Sequence, residues 1–258
     1  MSVFFAVLKG AYLKNFAYRI SVIFSCLGSI IAVLAQIALW SYLYREDDAQ
    51  ATYMIAYVII ARLLSCMHNS DVAYNIEAKV RSGDLALDFI RPVKSSVVFW
   101  GEVCGNTAAA LVLGGLPILL IFGFTFFQGN ITLSGLLMFF PAVLMGFVLY
   151  SALYMIIGYI AFIAIMNWPY IRIANDTLRL LSGAVVPITL FPPFVQKLTW
   201  FLPFRLLYSF PINLLIGGMT QQEILADFLI LGTWTLGMLL LLRAVEAGVE
   251  KRLTIQGG

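Results

Sequence analysis

From Val22 to Tyr44 the chain runs twenty-three residues without a charged side chain. That length matches the roughly 20 apolar residues a helix needs to cross the hydrocarbon core of a bilayer. Predominantly apolar segments follow over about 51–74, 103–127, 136–166, 178–191 and 224–242, the second span (51–74) poorer than the first because it carries Arg62, His68 and Asp71. Together they leave a chain that is 62% hydrophobic and 11% charged, against roughly 45–50% and about 25% in a soluble domain. A water-soluble fold has no interior for so much apolar surface. The expected class is an all-α polytopic membrane protein with six transmembrane helices.

The segments between the spans set the orientation. Residues 1–20 are aromatic and aliphatic but interrupted by Lys9, Lys14 and Asn15, which fits a helix lying in the membrane interface. Lys9, Lys14 and Arg19 follow the first apolar residues instead of preceding them, so a cleavable signal is not expected. With the N-terminus inside, twelve basic residues fall on cytoplasmic segments: Lys9, Lys14, Arg19, Lys79, Arg81, Arg91, Lys94, Arg172, Arg179, Arg243, Lys251 and Arg252. Only Arg45, Lys197 and Arg205 fall outside, and Arg62 lies within a span. Cytoplasmic loops carry the excess of Lys and Arg, so both termini are expected in the cytoplasm, with 243–258 as a charged tail.

Residues 75–96 are the one long polar stretch inside the chain, and read as a compact two-helix cytoplasmic element. Ile76 and Val80 share a helical face. Gly83 suits the end of the first helix, and Asp84 suits the start of a second that runs through Phe89 and stops before Pro92. A merely solvated loop is the alternative, but it has no use for Leu85, Leu87, Phe89 and Ile90.

The stretch from Leu181 to Gly218 is apolar enough to enter a bilayer, yet Pro187, Pro192, Pro193, Pro203 and Pro211 deny it a continuous helix. Backbone groups freed in a membrane are tolerated only where protein or water satisfies them. Residues 192–219 are therefore expected to form short helices dipping into the outer leaflet before the sixth span. Pro187, Phe191, Pro192, Pro203, Phe204, Tyr208 and Pro211 are candidates for a translocation path or gate, with simple packing as the alternative. Arg62, near the middle of the second span, belongs with them. A mid-membrane arginine is costly and faces protein or a watery cavity. It either lines a substrate path or forms a structural ion pair with an acid such as Glu102. His68 reads as an interfacial hydrogen-bonder, and Gly101 and Gly105 form a GxxxG pair suited to close helix packing.

Several chemistries are missing. No G-x-x-x-x-G-K-[ST] loop, G-x-S-x-G or H-E-x-x-H sequence is present. Cys26, Cys66 and Cys104 lack metal or disulfide spacing, and one histidine with few buried acids is too little for a proton relay. The net charge of +3 follows topology and implies no nucleic-acid partner. What remains is an apolar channel-forming bundle with a cytoplasmic helical element, which is what a non-enzymatic transport subunit needs if its energy arrives from a separate motor.

Two motifs carry a resemblance. One is Arg81-Ser82-Gly83-Asp84-Leu85 followed by Phe89-Ile90-Arg91-Pro92-Val93. The other is Ser182-Gly183, Pro187, Phe191-Pro192, Leu202-Pro203-Phe204 and Pro211 before Gly217-Gly218. With the span order, they resemble permeases of type-2 ABC exporters, in the bacterial branch associated with daunorubicin-resistance-like ATPases. The resemblance covers essentially the whole chain. It implies a half-transporter of the bacterial cytoplasmic membrane: two permeases, identical or paralogous, paired with two ATPase subunits that bind ATP and Mg, and no cofactor in this chain. It implies that Glu77, Arg81, Gly83, Asp84, Leu85, Phe89, Arg91 and Pro92 form the coupling helix docked on the ATPase. Closure of the ATPases would then reach the first, second and fifth spans. The cargo implied is an amphipathic or hydrophobic compound, whether drug, peptide or lipid-like. The alternative is a non-transporting scaffold or immunity protein, or, third, a lipid-directed intramembrane enzyme, which would need a reactive cluster this chain lacks.

Overall fold

The computed structural model describes residues 3–17, 19–84, 94–127, 133–164 and 166–256, and every regular element among them is helical. Helices α1 (Val3–Ala17), α2 (Arg19–Leu43), α3 (Asp48–Met67) and α4 (Asp71–Ser82) precede α5 (Ser95–Ala110). A π-helical turn, Leu111–Gly115, joins α5 to α6 (Leu116–Phe127). Then come α7 (Leu133–Tyr159), α8 (Trp168–Leu181), α9 (Pro193–Phe201), α10 (Ser209–Ile216) and α11 (Gln221–Gln256).

Helix α7 is the hub. Ala142, Ala152, Tyr154 and Met155 on it are sealed from solvent, and α11, α4 and α10 pack around it. Small residues set the closest approaches: a Cβ on Gly158 would come within 2.9 Å of Ile76 Cβ on α4. Helix α2 stands at the periphery. It is held to α3 and α6 by a separate cluster of Val33, Trp40, Met54, Val58, Ile59, Ile118 and Phe122.

The surface explains the composition. Phe24, Ile31, Leu120, Leu229 and Leu240 are all more than 60% exposed. On α11, Leu225, Leu229, Leu236 and Leu240 form an outward stripe, while Asp227, Leu231, Thr235 and Leu242 face inward. Contiguous exposed apolar surface of this kind has no stable place in water and fits lipid. Five segments among the described residues are long and apolar enough to cross a membrane: Val22–Leu43, Asp48–Ser82, Ser95–Gly123, Leu133–Phe162 and Gln221–Lys251.

The expected fifth span over 178–191 is not among the five. Helix α8 starts earlier and ends at Leu181, Ser182 and Gly183 turn the chain, and only a short 3-10 turn, Ile188–Leu190, follows. The turn at Gly183, with φ +83° and its carbonyl bound by Tyr57, ends the helix, and Pro187 keeps the chain beyond it from resuming one. The second expected span lies within Asp48–Ser82, where the helix is interrupted after Met67. There Asn69 folds onto Asp71, its Oδ1 accepting from Asp71 N at 2.8 Å, and α4 starts at Asp71. At the far end, α11 continues through the expected tail to Gln256. Its start is fixed by a capping box: Thr220 N donates to Glu223 Oε2 at 2.7 Å, and Glu223 N to Thr220 Oγ1 at 3.3 Å.

Candidate functional site

A cleft of about 960 Å³ opens between α2 on one side and α8 on the other, with α3 behind. Its polar wall comes from residues at helical spacing. Ser25, Ser29 and Gln36 share one face of α2, Arg62 and Ser65 project from α3, and Arg172, Asn175, Asp176 and Arg179 project from α8. Helix α8 is amphipathic by sequence, with Ile171 and Leu178 buried against the bundle and the polar residues turned to the cleft. The π-helical turn widens the backbone where Leu113 and Gly114 join the lining. Gly114 there lies beside Cys66, whose Sγ would be in ordinary contact, 3.5 Å, with an added Cβ. Such π-bulges often mark functional sites.

Arg62 does not pair with Glu102. That carboxylate lies 3.8 Å from Lys79 Nζ and accepts from Asn75 at 3.4 Å. Arg62 instead donates from Nη2 to Ser29 Oγ, and its buried Nε has no hydrogen-bond partner among the described residues. No carboxylate among the described residues forms an ion pair with it. The ion-pair alternative is thus replaced by a guanidinium facing the cleft. His68 lines the cleft among aromatic side chains. Its ring lies 4.8 Å from both the Tyr150 and the Tyr208 rings, and its buried Nδ1 is unpartnered among the described residues.

Of the eight residues expected along a path or gate, Arg62 and Tyr208 line the cleft. Pro187, Phe191, Pro192, Pro203, Phe204 and Pro211 do not. They shape the backbone: Pro192 precedes α9, Pro203 starts the 3-10 turn Pro203–Leu207, and Pro211 is buried in the first turn of α10. The segment is fastened deep in the bundle. Tyr57 Oη donates to Gly183 O at 2.8 Å, Tyr53 Oη to Asn213 Oδ1 at 2.7 Å, and Ser209 N to Ser182 O at 3.2 Å. Gly183 has φ +83°, and a Cβ there would sit 2.7 Å from Tyr57 Oη. Gly183→Ala is therefore expected to strain the turn and break the Tyr57 contact, at a cost of about 1–3 kcal/mol. Unfolding of the purified protein in detergent checks this. Tyr57→Phe in the Gly183→Ala background should recover part of the loss, because it removes the clashing hydroxyl.

The expected ATPase-coupling residues divide. Leu85, Phe89, Arg91 and Pro92 lie outside the described residues. Gly83 ends α4 with φ +80°, and Arg81 and Asp84 are exposed, with Asp84 Oδ2 accepting from Ser82 Oγ at 2.7 Å. Glu77 is only 6% exposed and points inward. Its Oε1 accepts from Asn167 N at 3.3 Å and lies 3.7 Å from Arg81 Nη1. Asn167 in turn donates to Ile157 O at 2.8 Å, closing the end of α7 and starting α8. Glu77 therefore locks α4 to the hinge between α7 and α8. Sequence reasoning passed over Ser25, Ser29, Gln36, Tyr150 and Asn175. The periodic serines of α2 were the available signal for the first two.

Compared with known protein families, residues 31–257 match the family described as ABC-2 family transporter protein. The chain belongs to the ABC-2 transporter family. No curated protein matches the chain closely enough to count as a relative. As an ABC-2 protein it is a multi-pass membrane component of a transporter, of a kind generally not catalytic itself, and the family implies ABC ATPase partners.

Proposed function

We propose that this chain is the permease half of an ATP-driven exporter in a bacterial cytoplasmic membrane, moving an amphipathic or hydrophobic drug, peptide or lipid-like compound. Two permeases, identical or paralogous, pair with two ATPase subunits that bind ATP and Mg. The chain crosses the membrane six times with both ends in the cytoplasm. Its fifth crossing is composite, α8 filling the inner half and the proline-broken segment entering from outside. The observation that carries this reading is the polar cleft inside a bundle whose outer surface suits lipid. A cleft of about 960 Å³ lies within the roughly 300–1,000 Å³ of small-molecule sites.

The connections of α4 support the coupling assignment. Helix α4 leads into the segment 83–92 and also carries Tyr74 on the cleft wall. Through Glu77 and Asn167 it is tied to the head of α8, which carries Arg172, Asn175 and Arg179. A push on the coupling segment from a closing ATPase would then reach both sides of the cleft.

The experiment is substrate-stimulated ATPase activity of the permease–ATPase complex in lipid nanodiscs, comparing Asp84→Ala and Arg91→Ala with the unaltered chain. Charge-assisted contacts are worth about 1.5–3 kcal/mol each, so stimulation is expected to fall about tenfold or more while the permease stays folded. Full stimulation in both variants would remove the coupling role from this segment. Purification without any ATPase, across several detergents, would overturn the transporter reading itself.

A further inference from the structure

The charge balance of the cleft is one-sided. Its lining holds three arginines, Arg62, Arg172 and Arg179, against one acid, Asp176. Asp176 is already committed to Arg172, whose Nε lies 3.3 Å from Oδ2. The nearby Asp71 is tied into the turn by Asn69, Nδ2 to Oδ2 at 2.8 Å. Arg62 and Arg179 have no ion-pair partner among the described residues, and both line the cleft together with Tyr208. We propose that Arg62 and Arg179 form the recognition site for an anionic headgroup, so that the compound bound in this cleft is an amphiphile carrying a phosphate or carboxylate. The proposal rests on the permease reading and specifies the substrate class for it.

Position makes the two charges consequential. Arg62 lies about 21 Å along α3 from Asp48, and Arg179 about 16 Å along α8 from Trp168, at 1.5 Å per residue. With these helices crossing as proposed, both fall within the roughly 30 Å hydrocarbon thickness, which moves Arg179 from the cytoplasmic segment expected from sequence into the membrane, where an unneutralised arginine is costly. A permanent ion pair would remove that cost, and the described residues provide none. A ligand anion supplies the missing charge, and the fork of guanidinium donors suits a carboxylate or phosphate in bidentate contact. Ser29 and Asn175 add neutral polar groups beside the arginines, while Val33, Val58 and Leu113 give the cleft an apolar side for a chain. The tyrosines around His68 offer aromatic faces that attract cations elsewhere. Here two uncompensated guanidiniums repel a cation from the same cleft, and Coulomb repulsion in a low-dielectric site exceeds an aromatic contact.

The test is binding of radiolabelled dodecyl phosphate to the purified permease in phosphatidylcholine nanodiscs, which needs neither ATPase nor transport. Saturable binding is expected. It should weaken about ten- to hundredfold in Arg62→Gln and in Arg179→Gln, the loss of one charge-assisted contact each. Arg62→Lys keeps the charge but loses the bidentate fork, so its affinity should fall between the unaltered chain and Arg62→Gln, and the exposed Arg179 gives a second variant where folding is not at stake. Dodecyltrimethylammonium should not compete. Equal competition by the cation, or unchanged affinity in both glutamine variants, overturns the proposal. Repeating the titration in phosphatidylglycerol nanodiscs separates two sources of the anion. Lost binding there assigns the site to a bilayer lipid headgroup, and retained binding to a free amphiphile. Anion binding without ATP-driven movement would sink the transporter reading alone. Transport of a cationic amphiphile without anion binding would sink only this site.

Discussion

Asp227→Ala is expected to cost this protein about 3–5 kcal/mol of stability, the largest effect of any single substitution considered, because it strands a buried guanidinium. Arg205 follows the first proline of the 3-10 turn, and Asp227 lies two turns into α11. Their side chains are 12% and 3% exposed. Arg205 Nη1 donates to Asp227 Oδ2 at 2.7 Å, Nη2 donates to Oδ1, and the Trp200 ring covers the guanidinium at 4.5 Å. This pair fastens the proline-broken segment to the last long helix. Breaking it leaves a charge with neither water nor a partner, while replacing both members with apolar groups of similar size is often close to neutral. Reversible unfolding in mixed micelles checks the pair. Arg205→Met with Asp227→Leu should recover most of what Asp227→Ala loses. An equal loss in the double variant would show that packing, and not the stranded charge, sets the cost.

Gly105→Leu is the second large effect, expected to undock α1 from the bundle. Helix α1 has no fully buried residue of its own, and its most extensive contact is with α5. The seat is made by Gly101 and Gly105. A Cβ on Gly105 would lie 2.4 Å from Leu8 O and 2.8 Å from Ala11 Cβ, and one on Gly101 3.1 Å from Val7 Cγ1. A backbone carbonyl cannot swing aside as a side chain can, so the helix must move as a body. That forfeits the Asn15 Nδ2 to Asn106 Oδ1 hydrogen bond of 2.9 Å as well. Overpacking typically costs about 1–3 kcal/mol, and leucine should reach or exceed the top of that range. Hydrogen exchange in nanodiscs reads the result directly: protection over Val3–Ala17 should fall sharply in Gly105→Leu, with α7 unchanged. Gly10, with open space around its missing Cβ, is the control. Gly10→Ala should leave α1 docked, and equal loss of protection there would remove the role given to the glycine seat.

The two glycines show how sequence and structure divided the information. Their spacing predicted close helix packing, but a GxxxG pair does not name its partner, and here the partner is a helix about ninety residues earlier in the chain. Arg62 behaves the same way. Its cost in a membrane was legible from its place in an apolar run, whereas the choice between an ion pair and a cleft depended on where Glu102 finds its cation, which turned out to be Lys79. Glu77 was grouped with the coupling residues because the resemblance runs from it to Pro92. Burial against Asn167 gives it an inward role that local polarity conceals.

Sequence by itself determined the solvent, because the length and apolarity of the runs allow little but helices in lipid. It also determined where helices must fail, since proline removes a donor and a backbone angle regardless of context. Tertiary structure alone decided that α8 stops at Leu181 and leaves a polar face to a cleft, that Arg205 meets Asp227, and that two arginines 117 positions apart line one cleft. The physical reason is the range of the interactions. Hydration and backbone geometry act on each residue where it stands, whereas a buried charge takes its meaning from whichever neighbour the fold brings within a few ångströms.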